Sequence, residues 1–539
     1  MMNQGNLLDA ERILRHLAQA DSHRQFPLEA LADLYLQQHR IDECLTILRE
    51  LTSMDVENLN YCVKLASLLD SLGDTGAAIN AYTTLLQHQP DEAVAHFNVA
   101  LLYKKEERFE EAISAYERAA RLEIDRVEDV YSNLGNLYAE MLDADNARKM
   151  YRRAIEIAPD DVSALFNLGG LLEESGERQQ AIELYERVQS IDPRHWRSLA
   201  RLAYPRKVTA GDQGLVSRIA TCIDELKDDK LAQEVLYFAL GKAYDDLESY
   251  DEAAAAFVAA NEISRERVLP YVPEQTDHAY GQLIDHFDSN WIETRETDSE
   301  ASPIFICGMY RSGSTLLERM LAGHPRIAAG GELKTLAFLV AQHLGPYPQG
   351  AIGATTEKLR RIADDYDRKV RELVPDSQFV TDKRPDNFLR LGLARAAFPA
   401  AKFIQTRRDI RDNCLSIYFQ QFGRATNYAN DLQHIAHYYR QQERLFDHWR
   451  QCVPDSVCTV DYEELIEAPE TVLRQVLDFL GLEWDAQVLN FEKSSGLVKT
   501  YSIWQVREGL YSRSRGRWRN YEQLVSGLLE PQPVDSTEA

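Results

Sequence analysis

The segment Pro303-Ile-Phe-Ile-Cys-Gly-Met-Tyr-Arg-Ser-Gly-Ser-Thr-Leu-Leu-Glu318 runs from an apolar strand through a glycine-containing loop into a helix. Gly308 and Gly313 allow a tight loop around an anion, and N–H groups at a helix N-terminus attract phosphate or sulfonate oxygens. The glycine spacing is that of a Walker A loop, but Ser314 stands where that motif has its lysine. We therefore expect an anion-binding loop that does not hydrolyse ATP or GTP; a capped strand–helix turn is the alternative. The candidate ligand groups are those of Arg311, Ser312, Gly313, Ser314 and Thr315.

The second half of the chain alternates short apolar segments with helical ones. This alternation predicts an α/β domain with a parallel sheet and helices on both faces. In such folds, ligands bind where strands end and helices begin. The predicted strands are Ile304–Cys307, Phe379–Thr381, Lys402–Gln405 and Val457–Val460, and the predicted helices are Ser314–Ala322, Asp386–Ala397, Asp409–Phe419 and Pro469–Leu480.

A second candidate anion site follows the predicted strand Lys402–Gln405. Arg408 lies at the strand end, and Ser416 follows eight residues later, about two turns into the next helix. Such a pair can bind a second phosphate through charge-assisted hydrogen bonds. A surface arginine cluster is the alternative interpretation.

The first half of the chain repeats one pattern at a nearly constant interval. Small residues recur at spacings of 34, 34, 35, 34, 34 and 38, and most are followed by a second small residue, as Ala66 is by Ala78. Small residues let two helices pack closely, and this pattern resembles the tetratricopeptide repeat, a helix–turn–helix unit. The Ala203 unit carries Pro205 and Gly211, so we expect it to be degenerate. The recurring small residues are Ala32, Ala66, Ala100, Gly135, Gly169, Ala203 and Gly241.

These patterns predict an α-solenoid of tetratricopeptide repeats followed by a P-loop-like α/β domain. The repeat array, of about seven units, is assigned to residues 1–263. A helical bridge is assigned to residues 264–297 and the α/β domain to residues 298–525. The tail, residues 526–539, is expected to be disordered.

The net charge of −26 belongs to the repeat region. Residues 301–539 contain 30 basic and 30 acidic side chains, so the excess negative charge lies in the first 300 residues. An acidic surface repels phosphate, which disfavours nucleic acid as a partner. The acidic repeats suggest a basic peptide or protein partner, or simply a solvated helical surface.

The composition gives no sign of a secreted, membrane-spanning or metal-binding protein. No run of 18 apolar residues occurs, the first residues lack a signal-peptide pattern, and the 7 cysteines form no disulfide scaffold. Neither a His-Glu-x-x-His nor a Cys-x-x-Cys motif occurs. We expect a cytoplasmic protein that needs no metal.

Four motifs of the second half together resemble the sulfotransferases that use 3′-phosphoadenosine 5′-phosphosulfate (PAPS) as sulfuryl donor. Their spacing is closest to that of tyrosylprotein sulfotransferases and of bacterial proteins that fuse tetratricopeptide repeats to a sulfotransferase domain. The resemblance implies a PAPS-dependent enzyme whose second product is 3′,5′-ADP. The motifs are Gly308–Thr315, Gly331-Glu332, Asp382-Lys383-Arg384-Pro385, and Arg408 with Ser416.

The resemblance also implies how the donor is held. The segment Arg311–Thr315 matches the loop that binds the 5′-phosphosulfate, whereas Arg408 and Ser416 match the pair that binds the 3′-phosphate. Tyr462 matches a tyrosine that contacts the nucleotide. Arg517 stands where the family has a lysine on the 3′-phosphate side.

The same resemblance assigns the chemistry. Glu332 matches the general base, Lys383 a lysine that stabilises charge in the transition state, and Ser502 a serine near the sulfuryl group. A glutamate that caps the start of a helix is the alternative for Glu332. The chain departs from the family where Tyr310 replaces a proline and where Gly331 replaces the first of two glutamates.

The sequence leaves the acceptor open. A protein or peptide presented by the repeats, plausibly at a tyrosine, is the leading hypothesis. A carbohydrate, lipid or small metabolite is the second, and a catalytically inactive repeat scaffold is the third. The oligomeric state, a homodimer included, and a bond between Cys452 and Cys458 stay open as well.

Overall fold

The computed structural model describes residues 4–19, 24–375, 377–490 and 515–528. The chain forms two compact units, residues 1–168 and 169–539. The boundary lies within the predicted repeat array, so the last repeats belong to the same unit as the α/β domain. Of the tail expected to be disordered, residues 529–539 lie outside the described residues. Its described start is packed: Leu528 is buried, and its carbonyl accepts a hydrogen bond from Arg440 at 2.5 Å.

The first unit is entirely helical over its described residues, and polar caps start several of its helices. The Asn58 side chain accepts hydrogen bonds from two backbone N–H groups of the following turn, and Asp74 and Asp143 each accept one. The helices are α1 Gln4–Ala18, α2 Gln25–Gln37, α3 Ile41–Met54, α4 Leu59–Ser71, α5 Thr75–His88, α6 Ala93–Lys105, α7 Phe109–Arg121, α8 Val127–Glu140 and α9 Ala144–Ile157; α10, Val162–Ser175, crosses the boundary.

The small residues of the repeating pattern lie where paired helices touch, which confirms the repeat prediction. A Cβ added to Gly135 on α8 would lie 2.5 Å from the ring of Tyr151 on α9. In the same way, a Cβ on Gly169 would lie 2.7 Å from the ring of Tyr185. Such distances leave no room for a side chain, so the glycines set how closely the helices pack.

The second unit begins with the remaining repeats and the bridge. The expected degenerate unit has a first helix of 6 residues, which ends before Pro205. A regular pair, α14 and α15, follows, and the predicted bridge contains two helices. The helices are α11 Arg178–Ile191, α12 Trp196–Arg201, α13 Gln213–Glu225, α14 Lys230–Asp246, α15 Tyr250–Arg267, α16 Pro273–His286 and α17 Ser289–Glu293.

The α/β domain is built on a five-stranded parallel sheet with the order β2-β3-β1-β4-β5. The four predicted strands are confirmed, and Ile327–Ala329 adds a fifth. Ile304 of β1 is in register with Thr381 of β3 and with Lys402 of β4. The strands are β1 Ile304–Gly308, β2 Ile327–Ala329, β3 Phe379–Asp382, β4 Lys402–Arg407 and β5 Val457–Asp461.

Helices cover both faces of this sheet, as predicted. Phe305 and Phe403 stack at 5.1 Å in one core, whereas Ile306 and Ile404 lie in the core of the opposite face. The predicted helix Asp386–Ala397 is a 3₁₀ segment followed by α22. The helices are α18 Ser314–Leu321, α19 Thr335–Leu344, α20 Gln349–Ile352, α21 Thr356–Leu373, α22 Leu391–Ala397, α23 Ile410–Tyr418, α24 Leu432–Cys452, α25 Tyr462–Glu467, α26 Pro469–Leu480 and α27 Glu522–Val525.

Two further features bear on the sequence-based expectations. Within the described ranges, no helix combines the length and the apolar character needed to cross a membrane. Cys452 and Cys458 are free thiols, and the Cys452 sulfur lies 3.5 Å from Nε2 of His448.

Candidate active site

A predicted site residue lies at or just after the carboxyl end of each strand of the sheet. Because all five strands are parallel, these ends share one edge of the sheet, which is where ligands bind in α/β folds. The central strand β1 leads into the glycine loop, with β3 on one side and β4 on the other. The residues that follow the strands are the loop 308–315 after β1, Glu332 after β2, Lys383 after β3, Arg408 after β4 and Tyr462 at the end of β5.

The glycine loop is held by its own backbone and by β4. Gly313, with φ +100°, caps the start of α18, and Gly308, with φ +147°, packs so closely on β4 that an added Cβ would lie 2.4 Å from the Thr406 carbonyl oxygen. The Ser312 hydroxyl is 2.6 Å from Oγ1 of Thr406 and donates to the Met309 carbonyl at 2.7 Å. The hydroxyl of Ser312 therefore shapes the loop. The predicted anion ligands Ser314 and Thr315 lie at the N-terminus of α18, and backbone N–H groups at a helix N-terminus attract anions.

The two predicted phosphate sites meet in one cluster. Arg311 Nε donates to the hydroxyl oxygen of Ser416 at 3.1 Å, and Arg408 Nη1 donates to the Arg311 carbonyl at 3.2 Å. Arg408 is 6% exposed and Ser416 is 8% exposed. Two guanidinium groups are thus held near a helix start, an arrangement suited to a ligand that carries more than one anionic group.

Tyr462 closes this cluster from the side of β5. The guanidinium of Arg408 lies 4.8 Å from the centre of the Tyr462 ring. The same ring packs on Gly313, where an added Cβ would lie 2.6 Å from Tyr462 Cδ2. Tyr462 therefore contacts residues of both predicted phosphate sites.

Glu332 and Lys383 form an ion pair on the other side of the loop. Lys383 Nζ donates to Glu332 Oε1 at 2.6 Å; Lys383 is 1% exposed, whereas the Glu332 side chain is 36% exposed. The alternative of a helix cap fails, because α19 starts with Lys334 at its cap position and has no side-chain cap bond. The carboxylate and the ammonium therefore meet at one point, where the carboxylate is partly exposed to solvent and the ammonium is buried.

Glu318 organises this pair, and the sequence analysis missed it. Its Oε1 accepts hydrogen bonds from the backbone N–H of Gly331 at 3.0 Å and from the Thr381 hydroxyl at 2.8 Å. The carbonyl of Gly331 in turn accepts from the Lys383 N–H at 2.8 Å. Burial raises the pKa of Glu318, and the charge of Lys383 opposes that shift. Glu318 thus links α18 to the segments that carry Glu332 and Lys383.

Asp382, directly before Lys383, is a second buried acid. Burial raises its pKa to about 8, against the opposing effects of the Tyr366 hydrogen bond and the charge of Arg384. Tyr366 donates to its Oδ2 at 3.0 Å. Asp382 is fully buried and accepts the hydrogen bond of Tyr366, so it supports the end of β3.

The remaining predicted residues have different outcomes. Ser502 lies outside the described residues. Arg517 is described, and its Nη2 pairs with Asp245 of α14 at 2.7 Å. Its guanidinium also lies 5.1 Å from the centre of the Phe419 ring, next to the end of α23. Arg517 is therefore close to the helix that carries Ser416, in contact with a repeat helix.

Two polar residues of α23 complete the site and were also missed. The fully buried Asn413 donates to the Tyr310 carbonyl at 3.0 Å and so fixes the loop before Arg311. Asp412 accepts from the backbone N–H groups of Gly516 and Trp518 at 2.5 and 2.9 Å. Both residues lie between Arg408 and Ser416, which was the one indication in the sequence that they belong to the site. Helix periodicity alone does not show which face of α23 packs against the loop.

Comparison with family models assigns both parts of the chain. Residues 303–486 match the model of the sulfotransferase family. Tetratricopeptide-repeat models match residues 63–125, 126–194 and 235–267. The last of these segments comprises most of α14 together with α15.

Similar proteins are known from several sources. An uncharacterised protein of Aquifex aeolicus (strain VF5) is 29% identical over 399 residues, which cover 71% of this chain and 52% of that protein. Protein-tyrosine sulfotransferase 1 of Danio rerio is 27% identical over 217 residues, covering 38% of this chain and 59% of that protein. The sulfotransferase domain of the Synechococcus PCC 7002 olefin synthase aligns with 24% identity and a TM-score of 0.33, covering 44% of this chain and 98% of that domain.

This chain thus matches only between half and three fifths of the length of these two relatives. The motif spacing, the parallel sheet and the family models agree with one another. The protein carries tetratricopeptide repeats followed by a domain that belongs to the sulfotransferase family.

Proposed function

We propose that the protein transfers the sulfuryl group of PAPS to a hydroxyl group of a protein or peptide, with tyrosine as the first candidate. One observation carries the proposal. A carboxylate–lysine pair, Glu332 with Lys383, lies at the same sheet edge as the cluster of Arg311, Arg408 and Ser416. The pair can move a proton and stabilise charge, and the cluster can hold a donor with two anionic groups.

The donor is assigned to the loop and the ends of β4 and β5. The N-terminus of α18 and Arg311 suit the 5′-phosphosulfate, because backbone N–H groups and a guanidinium both bind tetrahedral oxyanions. Arg408 and Ser416 suit the 3′-phosphate. A cavity of about 810 Å³ is lined by Arg408 but by neither the loop 308–315 nor Ser416, and five carboxylates line it, so we do not assign it to the donor.

The chemical step uses the pair beside the loop. Glu332 takes the proton of the acceptor hydroxyl as the acceptor oxygen forms its bond to sulfur. The bond between sulfur and the phosphate oxygen of the donor breaks at the same time, and 3′,5′-ADP leaves. Lys383 stabilises the negative charge on that departing oxygen. A phenol, with a pKa of about 10, needs only a modest base.

The relatives named as protein-tyrosine sulfotransferases support a tyrosine acceptor, and the repeats supply a surface suited to a polypeptide. The acidic character of the first 300 residues suits an acceptor with basic segments. A small hydroxyl compound is the competing acceptor class.

The test is transfer of label from PAPS. The full chain is incubated with labelled PAPS and a cell extract, and the products are separated by size and identified by mass spectrometry. Label on tyrosine residues of polypeptides is the expected result. Label confined to small molecules would overturn the acceptor assignment, and an absence of transfer together with an absence of donor binding would overturn the activity.

A further inference from the structure

The last repeat packs directly on the helix that carries Ser416. Phe257 of α15 stacks on Phe419 with ring centroids 3.9 Å apart and an interplanar angle of 10°. Asn261, which is 1% exposed, donates to the Tyr418 carbonyl at 2.8 Å. The end of α23 is therefore fixed against a tetratricopeptide repeat.

The segment around Arg517 lies along the same helix. Asp412 accepts hydrogen bonds from the backbone N–H groups on both sides of Arg517, at Gly516 and Trp518. Asp412 and Ser416 are four residues apart, so they lie on one face of α23. The backbone at Arg517 consequently lies beside the face of α23 that carries Ser416.

Asp245 of the repeat holds this segment from the other side. Its Oδ2 pairs with Arg517 Nη2 at 2.7 Å, and its Oδ1 accepts from the Tyr521 hydroxyl at 2.5 Å. The Asp245 side chain is 18% exposed and that of Arg517 29%, so the pair is partly shielded from solvent. The Asp245 carboxylate of the repeat array thus fixes two side chains, those of Arg517 and Tyr521, in the described segment 515–528.

We propose that Asp245 is a positioning residue for the donor site. Asp245 holds Arg517 in the orientation that binds the 3′-phosphate. The proposal rests on the proposed function. A guanidinium is a rigid fork with five N–H donors, so a carboxylate that fixes one edge sets the direction of the other. Preorganisation of this kind increases affinity because the side chain is already ordered before the ligand binds.

Calorimetric titration of the full chain with 3′,5′-ADP and with 5′-AMP tests the proposal. Asp245→Asn should weaken 3′,5′-ADP about five- to tenfold, as expected when a charged donor loses its preorganisation, and should leave 5′-AMP unchanged. In the Arg517→Ala background, Asp245→Asn should have no further effect, because the two residues act in series. Asp251→Asn removes the same charge from an exposed site of the same repeat and should change neither affinity.

Several outcomes would overturn the proposal. Tighter binding of 3′,5′-ADP by Asp245→Asn would mean that the carboxylate competes with the phosphate. An equal loss for both nucleotides, or an undiminished loss in the Arg517→Ala background, would mean that Asp245 only supports the fold. Asp245→Glu, which keeps the charge, is the second variant, and its loss should be smaller than that of Asp245→Asn. If the wild type does not prefer 3′,5′-ADP, the proposed donor fails and this inference fails with it; if the wild type does and the variants do not differ, only this inference fails.

Discussion

Replacing Glu332 with glutamine tests the chemical step while keeping the shape of the site. Lys383 is 1% exposed and donates to Glu332 Oε1 at 2.6 Å. Glutamine offers a carbonyl oxygen at the same position, so Lys383 keeps its hydrogen bond while the base is lost. Lys383 is buried, so the loss of the carboxylate charge leaves its ammonium with only a neutral acceptor, and we expect the free energy of unfolding to fall by about 1–3 kcal/mol. The kcat should fall about 10²- to 10⁴-fold, the usual contribution of a general base.

The assay is transfer of labelled sulfuryl from PAPS, with the 3′,5′-ADP affinity measured in parallel. That affinity should barely change, because Glu332 lies apart from the Arg311–Arg408 cluster. An acceptor with a more acidic phenol should partly rescue Glu332→Gln, because such a phenol needs less help to lose its proton. Lys383→Ala should also lower kcat without this rescue, and Glu357→Gln, at an exposed glutamate of α21, should be neutral. A near-normal kcat for Glu332→Gln on the true acceptor would refute the assignment and leave Glu332 as the partner of a buried lysine.

Three further predictions follow from buried contacts. Glu318→Leu removes the acceptor of two hydrogen bonds and should cost about 1–3 kcal/mol in urea unfolding and lower kcat, whereas Glu318→Gln should cost less. The pKa of Asp382, about 8, exceeds the ordinary value of about 3.9. Between these two pH values the folded state holds a proton that the unfolded state releases, so protonation of Asp382 stabilises the folded state. This contribution to stability is full below about pH 4 and is lost as the pH rises towards 8, by at most about 1.4 kcal/mol per pH unit, and Asp382→Asn should flatten that slope in urea titrations. Gly241→Ala places a Cβ 2.7 Å from the Phe257 ring and should destabilise the protein by about 1–3 kcal/mol, whereas Gly281→Ala meets open space on α16 and should be neutral or slightly stabilising in thermal unfolding.

The elements of the α/β domain could be predicted because their signals are local. An apolar run ending at Gly308, a second glycine and a helix-forming stretch all lie within the single segment Pro303–Glu318, and the end of β4 with Ser416 is equally compact. The fixed period of the repeats gave their helices for the same reason, since each unit packs mainly on its neighbours. Parallel strands then bring their carboxyl ends together without any further information.

The residues that support the site could not be predicted, because their roles come from contacts distant in sequence. In the sequence, Glu318 is indistinguishable from any other glutamate of a helix. Its role depends on the contacts of α18 with Gly331 and with Thr381 of β3, which are distant in sequence. Asp245 and Arg517 lie in different halves of the chain, and nothing in the repeating pattern distinguishes Asp245 from other acidic residues. The boundary between the two compact units could not be predicted for the same reason. The last repeat helices pack on α23, a contact distant in sequence, and therefore belong to the unit of the α/β domain.

The cluster of Arg311, Arg408 and Ser416 should bind a nucleotide that carries both a 5′ and a 3′ anionic group. The most direct measurement is a calorimetric comparison of 3′,5′-ADP with 5′-AMP on the wild type and on Arg408→Ala. One charge-assisted hydrogen bond contributes about 1.5–3 kcal/mol, so the wild type should bind 3′,5′-ADP at least about tenfold more tightly. Arg408→Ala should lose this preference. Equal affinities for the two nucleotides in the wild type would mean that this cluster does not bind a 3′-phosphate.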